Sequence, residues 1–244
     1  MNHREKAEKV AEVYAASFLE DAIGHDIFIG SHIERLLSDK VHIIYQFVED
    51  EEYFGAAITH QNGDQFVALN TFHSLRTRYF TAAHELWHLS EGSQMQDDAF
   101  DHERAADRFA AAIMLPKVLT KQVWHKFKNF YGDELAILQI ADLSDVPYVT
   151  VVRRLNELGE NVTSNKLTEL EWLARRNELG LPVSASDRSS PDARFIAYEN
   201  VVKENVDQNE LDILTAANKL SRFSPKLAEQ YQHDALTMRQ EDAM

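Results

Sequence analysis

Two histidines four residues apart are the part of the sequence best suited to chemistry. His84, Glu85 and His88 form the pattern His-Glu-x-x-His within the segment HELWH. On a helix, residues four apart share a face, so both imidazoles can bind one metal ion. Glu85 lies one step round the helix, beside that ion, where its carboxylate can take a proton from bound water. The spacing therefore predicts a metal site with its own general base.

A metal held by two imidazoles needs a third protein ligand and an open position for water. The chain has no cysteine, so that ligand must be an imidazole or a carboxylate. In the next helical segment, DHERAADRFAAAIMLP, Glu103 and Asp107 are four apart and share a face. We predict Glu103 as the third ligand and Asp107 as the acceptor for the free ring N–H of a ligating histidine. His102 is the alternative ligand, but it points about 100° away from Glu103 around the helix.

The predicted ligands also limit which metal the site would hold. Nitrogen and oxygen donors suit Zn²⁺, and Mn²⁺ or another divalent ion is the alternative, depending on availability. Such a cation lowers the pKa of bound water from about 15.7 toward roughly 7, so a carboxylate can deprotonate it at neutral pH. We therefore predict a zinc-dependent hydrolase in which Glu85 is catalytic.

The elements before this motif change from helix to strand along the chain. Residues 3–23 and 31–38 have apolar residues at helical spacing, and Ser31 is the predicted cap of the second helix. Three short runs rich in β-branched and aromatic residues follow. They predict a small three-stranded, mostly antiparallel sheet, with these strands: VHIIYQFVED, YFGAAITH and QFVALN.

From the metal motif onward the pattern is helical. The helix that carries Glu103 is predicted over about 98–115, where Pro116 stops it, and two further helices surround a tight turn within 134–158. The sequence therefore predicts a mainly helical α+β fold. We place a domain that contains the metal motif and the two helices of 134–158 at 1–163, and a helical C-terminal region, in which no chemistry is visible, at 164–244.

Two stretches together resemble the ImmA/IrrE family of bacterial metallopeptidases: FVALNTFHSLRTRYFTAAHELWHL and ERAADRFAAAIMLP. The shared features include a strand that ends in Asn70 and an Arg-x-Phe/Tyr-Thr approach formed by Arg78, Phe80 and Thr81. They also include the His-Glu-x-x-His motif and a Glu-x-x-Ala-x-x-Phe-Ala helix that ends in Leu-Pro. The resemblance covers about residues 35–160 and is specific as a combination.

The resemblance implies a zincin-like fold of the gluzincin type, in which His84, His88 and Glu103 bind the metal. Glu85 would then be the catalytic residue of a zinc endopeptidase. Family members cleave helix-turn-helix repressors in the cytoplasm, often repressors of mobile elements, prophages or stress responses, so the expected partner is such a repressor. One position departs from the family, which usually has Gly where this chain has Trp87. An indole there would either face the core or reshape the substrate cleft.

The segment ELAILQIADLSDVPYVTVVRRLNELG also resembles a helix-turn-helix. Four side chains of its second helix would contact DNA: Tyr148, Thr150, Arg153 and Arg154. A formal net charge of −15 gives poor support for phosphate contacts. We therefore favour a packed helical hairpin that supports the peptidase, and we expect no direct binding of nucleic acid.

Other polar side chains near the motif could assist the reaction. His73, Arg78 and Tyr79 lie just before the metal helix and could stabilise the oxyanion of the transition state. The alternative, which we favour, is a role in capping or in surface ion pairs. A substrate peptide would lie extended along a sheet edge, which we place at the strand of residues 65–70.

The composition favours a cytoplasmic protein with no membrane partner. No apolar run approaches the roughly 20 residues of a membrane span. The segment MNHREKAEKVAEVY lacks the apolar core of a signal peptide. Two other functions fit the same residues: a metal-containing regulator that binds a repressor without cutting it, and a helix-turn-helix transcription regulator.

Overall fold

The computed structural model describes residues 3–96, 99–162 and 166–241. The chain forms two compact units that do not follow chain order. Unit 1 comprises Met1–Asp39 and His73–Ser189, and unit 2 comprises Lys40–Phe72 and Ser190–Met244. The predicted division between residues 163 and 164 lies outside the described residues and stays a prediction.

The named secondary-structure elements of unit 1, in its described part, are all helices or helical turns. Its α-helices are α1 (His3–Ala22), α2 (His32–Ser38), α3 (Leu75–His88), α4 (Glu91–Gln94), α5 (His102–Met114), α6 (Lys117–Tyr131), α7 (Asp133–Ser144), α8 (Tyr148–Glu157) and α9 (Glu169–Glu178), followed by a 3-10 turn at Ala185–Asp187. The predicted helices are present, but Ser31 makes no side-chain cap, because its own backbone is already helical with φ −61° and ψ −17°. The predicted start of α5 at Asp98 lies outside the described residues.

Helices α1 and α5 pack closely because small side chains line their contact. The buried positions of α1 recur every four residues: Ala7, Ala11, Ala15 and Leu19. Acidic side chains along the margin of this stripe pair with arginines of α5, Glu8 with Arg104 at 2.7 Å and Glu12 with Arg108 at 2.8 Å. Helix α1 is thereby held along the back of the helix that carries Glu103.

Unit 2 holds the sheet, which is mixed rather than mostly antiparallel. The strands β1 (His42–Gln46), β2 (Gly55–Thr59) and β3 (Gln65–Asn70) lie in the order β1-β3-β2. Ala57 of β2 pairs antiparallel with Val67 of β3, and Ile43 of β1 pairs parallel with the same residue. Two reversals of chain direction, the second at Gly63 with φ 92°, return β3 to the direction of β1.

The position of β3 corrects the expected substrate edge. Strand β3 is the middle strand, so its backbone groups are already paired on both sides and a peptide cannot add to it. Asn70 at its end is buried and structural. Its amide donates to the carbonyls of Val48 at 2.9 Å and Tyr53 at 2.7 Å, and its oxygen accepts from the N–H of Phe72 at 3.1 Å. This residue therefore fixes the connection between β1 and β2.

The rest of unit 2 contains three helices, α10 (Ile196–Asp207), α11 (Ile213–Leu220) and α12 (Pro225–Glu241). They enclose a small apolar core of four residues: Val202, Ala216, Leu220 and Ala228. In the described part of the chain, no single helix combines the length and apolarity needed to cross a membrane; only α7 and α8 taken together, bent by 107°, meet that test.

Candidate metal centre

Helix α3 places both motif histidines on one partly exposed face. The helix begins with a cap, because the hydroxyl oxygen of Ser74 accepts a hydrogen bond from the N–H of Thr77. The opposite face is buried through apolar side chains: Ala82, Ala83, Leu86 and Trp87. Because that face is anchored in the core, the four-residue spacing leaves His84 and His88 side by side, with ring centroids 5.2 Å apart.

Glu103, in the first turn of α5, completes a triangle of potential ligand side chains. Its Oε2 lies 3.3 Å from Nε2 of His84 and its Oε1 lies 3.4 Å from Nε2 of His88. The two Nε2 atoms are 3.3 Å apart. The Glu103 side chain is 78% exposed and is extended toward the imidazoles. Two successive helices therefore bring two imidazoles and one carboxylate together, and these three side chains form a possible metal site.

The spacing and chemistry of these atoms fit a divalent cation. A tetrahedral site with bonds of about 2.0–2.1 Å places neighbouring ligand atoms about 3.3–3.4 Å apart. The distance between the two Nε2 atoms, and the distance from each of them to one oxygen of Glu103, lie in this range. When neutral His84 donates from Nδ1, its Nε2 has only a lone pair to offer. That lone pair faces the Glu103 carboxylate, and two acceptors at this distance need a cation or a proton between them.

Asp107, one turn along α5, contacts the other nitrogen of the His84 ring. The distance from His84 Nδ1 to Asp107 Oδ1 is 3.1 Å, so the ring N–H can donate to this carboxylate. This hydrogen bond turns Nε2 of His84 toward Glu103. A carboxylate in this position fixes both the tautomer and the orientation of the imidazole.

The electrostatic surroundings of the two imidazoles differ. Burial alone would lower the pKa of His84, but the hydrogen bond with Asp107 and the charge of Glu85 raise it above its usual value. Burial and the neighbouring His84 lower the pKa of His88. Burial would raise the pKa of Asp107, yet its hydrogen bond with His84 lowers it. Asp107 therefore stays ionised as an acceptor, and His88 stays neutral, the form that binds a metal.

Glu85 is mostly enclosed, with 7% of its surface exposed. It follows His84 on α3 and is turned by about 100° around the helix axis from that residue. Glu85 is not one of the three side chains that form the possible metal site, and its charge acts on the neighbouring His84. A general base of a metal-assisted reaction needs this relation to the ligands.

Trp87 faces the core. It is completely buried, and its indole packs against rings from two helices and from the segment before α5: Tyr14 at 6.0 Å, Phe100 at 6.3 Å and Phe109 at 5.8 Å between centroids. The indole thus fills the space between α3, α1 and α5. The departure from the family at this position is a matter of packing.

The other side chains near the motif do not join the triangle. Arg78 donates to Glu34 of α2 at 2.6 Å, and Tyr79 is buried beside it. His102 turns its ring to Phe100, at 5.0 Å between centroids. Arg78 and Tyr79 are thus occupied in packing α3 against α2. The ion pair of Arg78 is mostly buried and not the surface pair or cap that we favoured, because α2 covers it. His102 is not among the side chains that form the possible metal site.

The helix-turn-helix-like segment is a packed hairpin in this fold. Helices α7 and α8 meet at 107° around Asp145, which adopts a left-handed backbone with φ 54°. Tyr148 and Thr150 are buried. Arg154 is also buried, and it donates to the carbonyl of Leu115 at 3.2 Å. Three of the four side chains considered for DNA contact are therefore interior, and only Arg153 is half exposed.

A buried ion cluster at the start of α3 was not foreseen from the sequence. Arg76 donates to Asp187 at 2.6 Å and also to Asp142. Arg176 donates to both oxygens of Asp142 at 2.9 Å, and the Tyr148 hydroxyl donates to Asp187 at 2.8 Å. These five side chains are called the Arg76 cluster below. No spacing rule could have found it, because Arg76 lies 66 and 111 residues from its two carboxylate partners.

A helical unit that presents His-Glu-x-x-His on one helix and a facing glutamate on the next defines a metallopeptidase-like protein. Residues 40–156 match the family Peptidase_M78, described as the IrrE N-terminal-like domain, and this region of the chain belongs to that family. The resemblance to ImmA/IrrE proteins is thereby confirmed, and with it a peptidase-like function. A comparison with curated proteins found no match.

Proposed function

We propose that this protein is a zinc-dependent endopeptidase whose metal is held by His84, His88 and Glu103. The observation that carries the proposal is the triangle of side chains. The two imidazole Nε2 atoms lie 3.3 Å apart, and each lies close to one oxygen of the Glu103 carboxylate, His84 at 3.3 Å from Oε2 and His88 at 3.4 Å from Oε1. Zn²⁺ suits two imidazoles and one carboxylate in tetrahedral geometry, and Mn²⁺ is the alternative occupant. Membership of a peptidase family supports the reaction class.

The metal and the side chains of the protein would have different roles in the proposed reaction. A bound Zn²⁺ would lower the pKa of a water molecule and polarise the carbonyl of the scissile peptide bond. Glu85 would accept the proton of the attacking water and pass it to the leaving nitrogen. Asp107 would keep the His84 ring oriented throughout the reaction, through the contact at 3.1 Å.

We further propose that the substrate is a regulatory protein, namely a helix-turn-helix repressor. This step rests on the family to which residues 40–156 belong. The rival function, transcription control through α7 and α8, has weaker support, because Tyr148, Thr150 and Arg154 are buried and unable to reach DNA in this fold.

The proposal is tested by comparing cells that express the wild-type chain with cells that express Glu85→Gln. This substitution removes the base and leaves the three predicted ligands in place. New protein N-termini, identified by mass spectrometry, should appear only with the wild type, and one of them should lie within a helix-turn-helix repressor. With that repressor purified, we expect cleavage to fall by about 10²–10⁴-fold in the variant.

Two results would contradict the proposal. Identical sets of N-termini in both cultures would show that the chain is not a protease under those conditions of expression. A wild-type effect on the repressor that survives in Glu85→Gln would assign the biological output to binding and not to hydrolysis.

A further inference from the structure

The carboxylate of Asp107 contacts groups from two other helices. Its Oδ1 lies 3.1 Å from His84 Nδ1 on α3, and its Oδ2 lies 3.6 Å from Nη1 of Arg153 on α8. Asp107 itself is on α5. The helices that supply the triangle and the helical hairpin therefore meet at this single carboxylate.

A carboxylate held at one oxygen can still rotate about the bond to its Cβ atom, so a second contact matters. The Arg153 guanidinium is always charged, and it attracts the oxygen that His84 does not use. At 3.6 Å the contact is longer than a hydrogen bond, so it acts through charge, and it favours orientations of the Asp107 carboxylate in which Oδ2 faces Arg153. The orientation of the carboxylate plane decides how well Oδ1 lines up with the N–H of the His84 ring.

Arg153 differs from the arginine that follows it. Arg154 is buried, and it bonds Glu12 and the carbonyl of Leu115, so it belongs to the packing of α8 against α1 and α5. Arg153 is 50% exposed, and its partner Asp107 is 37% exposed. A pair as exposed as this one contributes little to folding stability. The contact of Arg153 with Asp107, which itself touches His84, therefore points to a role at the metal centre and not in folding stability.

We propose that Arg153 is a positioning residue of the metal centre, which acts through Asp107 to hold His84 Nε2 toward Glu103. This inference rests on the proposed metal function. It also assigns a task to the hairpin of α7 and α8, which places a cation behind the ligand's hydrogen-bond acceptor.

The test is the Zn²⁺ affinity of the metal-free full chain, measured by competition with a chromophoric chelator. Arg153→Ala should bind Zn²⁺ about 3–10-fold more weakly, a smaller loss than the roughly 10–100-fold expected when Asp107→Ala removes the direct acceptor. Arg153→Lys keeps the charge and should recover most of the affinity. Lys126→Ala removes an exposed charge from α6 and should bind Zn²⁺ as the wild type does.

A double variant separates positioning from a general effect of charge. If Arg153 acts through Asp107, adding Arg153→Ala to Asp107→Ala should cause no further loss of Zn²⁺ affinity. Thermal melting of the metal-free forms should be the same for wild type, Arg153→Ala and Lys126→Ala. Weaker Zn²⁺ binding would then reflect the site and not unfolding.

The possible failures are distinguishable. If the wild type and Arg153→Ala bind Zn²⁺ equally well, the inference is overturned, whereas the proposed function stands. Additive losses in the double variant would also overturn it, because Arg153 would then not act through Asp107. A wild type that binds no Zn²⁺ would overturn the proposed function, and this inference with it.

Discussion

Two polar clusters lie at opposite ends of α3, and they differ in how donors and acceptors are matched. In the Arg76 cluster each close contact joins a donor to an acceptor, as in Arg76 to Asp187 at 2.6 Å. In the triangle at the other end, possible metal-binding atoms of His84, His88 and Glu103 face one another at 3.3–3.4 Å. The donors and acceptors of the first cluster are matched within the chain, whereas the facing atoms of the second need a cation or a proton between them. This difference separates a structural cluster from a site.

The largest effect of a substitution on folding stability is expected in the Arg76 cluster. Replacing Arg76 by Met removes the cation and leaves the buried carboxylate of Asp187 without its main partner. We expect the free energy of unfolding to fall by about 3–5 kcal/mol, as is typical when one member of a buried pair is lost. Urea unfolding of the metal-free chain measures this loss.

The matched control is Arg4→Met, which breaks an exposed pair with Glu8 at 3.2 Å. That change should leave the unfolding transition nearly unmoved, because exposed ion pairs contribute little. Equal losses in Arg76→Met and Arg4→Met would show that the Arg76 cluster is not the structural element that its burial indicates.

The second prediction concerns the triangle, whose contribution to stability should depend on metal. Free Zn²⁺ at about 1,000 times its dissociation constant should stabilise the wild type by about 4 kcal/mol, provided that the unfolded chain does not bind it. A chelator should reverse the shift. In Glu103→Gln the same Zn²⁺ concentration should stabilise much less, while the metal-free variant should melt as the metal-free wild type does.

If the wild type melts at the same temperature with and without Zn²⁺, the triangle does not differ from the Arg76 cluster in its dependence on metal. A metal-free Glu103→Gln that is strongly destabilised would place the triangle among the structural clusters as well.

The smallest effect on stability is expected in unit 2, at the Glu199 carboxylate, which accepts hydrogen bonds from Arg194 and Ser224. Burial would raise the pKa of Glu199, but hydrogen bonds from Arg194 at 3.1 Å and Ser224 at 2.8 Å lower it below the ordinary 4.5. A lowered carboxyl pKa contributes stability that is present above 4.5 and lost as the pH falls through the folded-state value. The stability gap between wild type and Glu199→Gln should therefore narrow in acid. A gap that stays constant as the pH falls would contradict the charge pairing of Glu199.

The parts of this molecule that follow local spacing could be predicted from the sequence. The shared face of His84 and His88 depends only on the pitch of one helix, and that of Glu103 and Asp107 on the pitch of the next. Apolar residues at helical spacing predicted most helices of unit 1, and runs rich in β-branched and aromatic residues predicted the three strands. The atoms of the triangle come into contact only because α3 packs on α5. The sequence suggested this packing but did not establish it.

The parts that depend on distant residues could not be predicted. The parallel pairing of β1 with β3 results from β3 lying between the other two strands, and no residue in either strand encodes that order. The Arg76 cluster joins residues up to 111 positions apart. The direction of Trp87 is set by rings on α1 and near α5 that have no spacing relation to it.

The central claim is that Glu103 completes a metal site with His84 and His88, and Zn²⁺ titration of the metal-free chain tests it most directly. We predict one Zn²⁺ per wild-type chain, and an affinity at least about 100-fold lower in Glu103→Ala, beyond the range expected for groups behind the ligands. The control Glu51→Ala, in the exposed turn after β1, should bind Zn²⁺ as the wild type does. Equal affinity in the wild type and Glu103→Ala, or no stoichiometric binding at all, would contradict the claim.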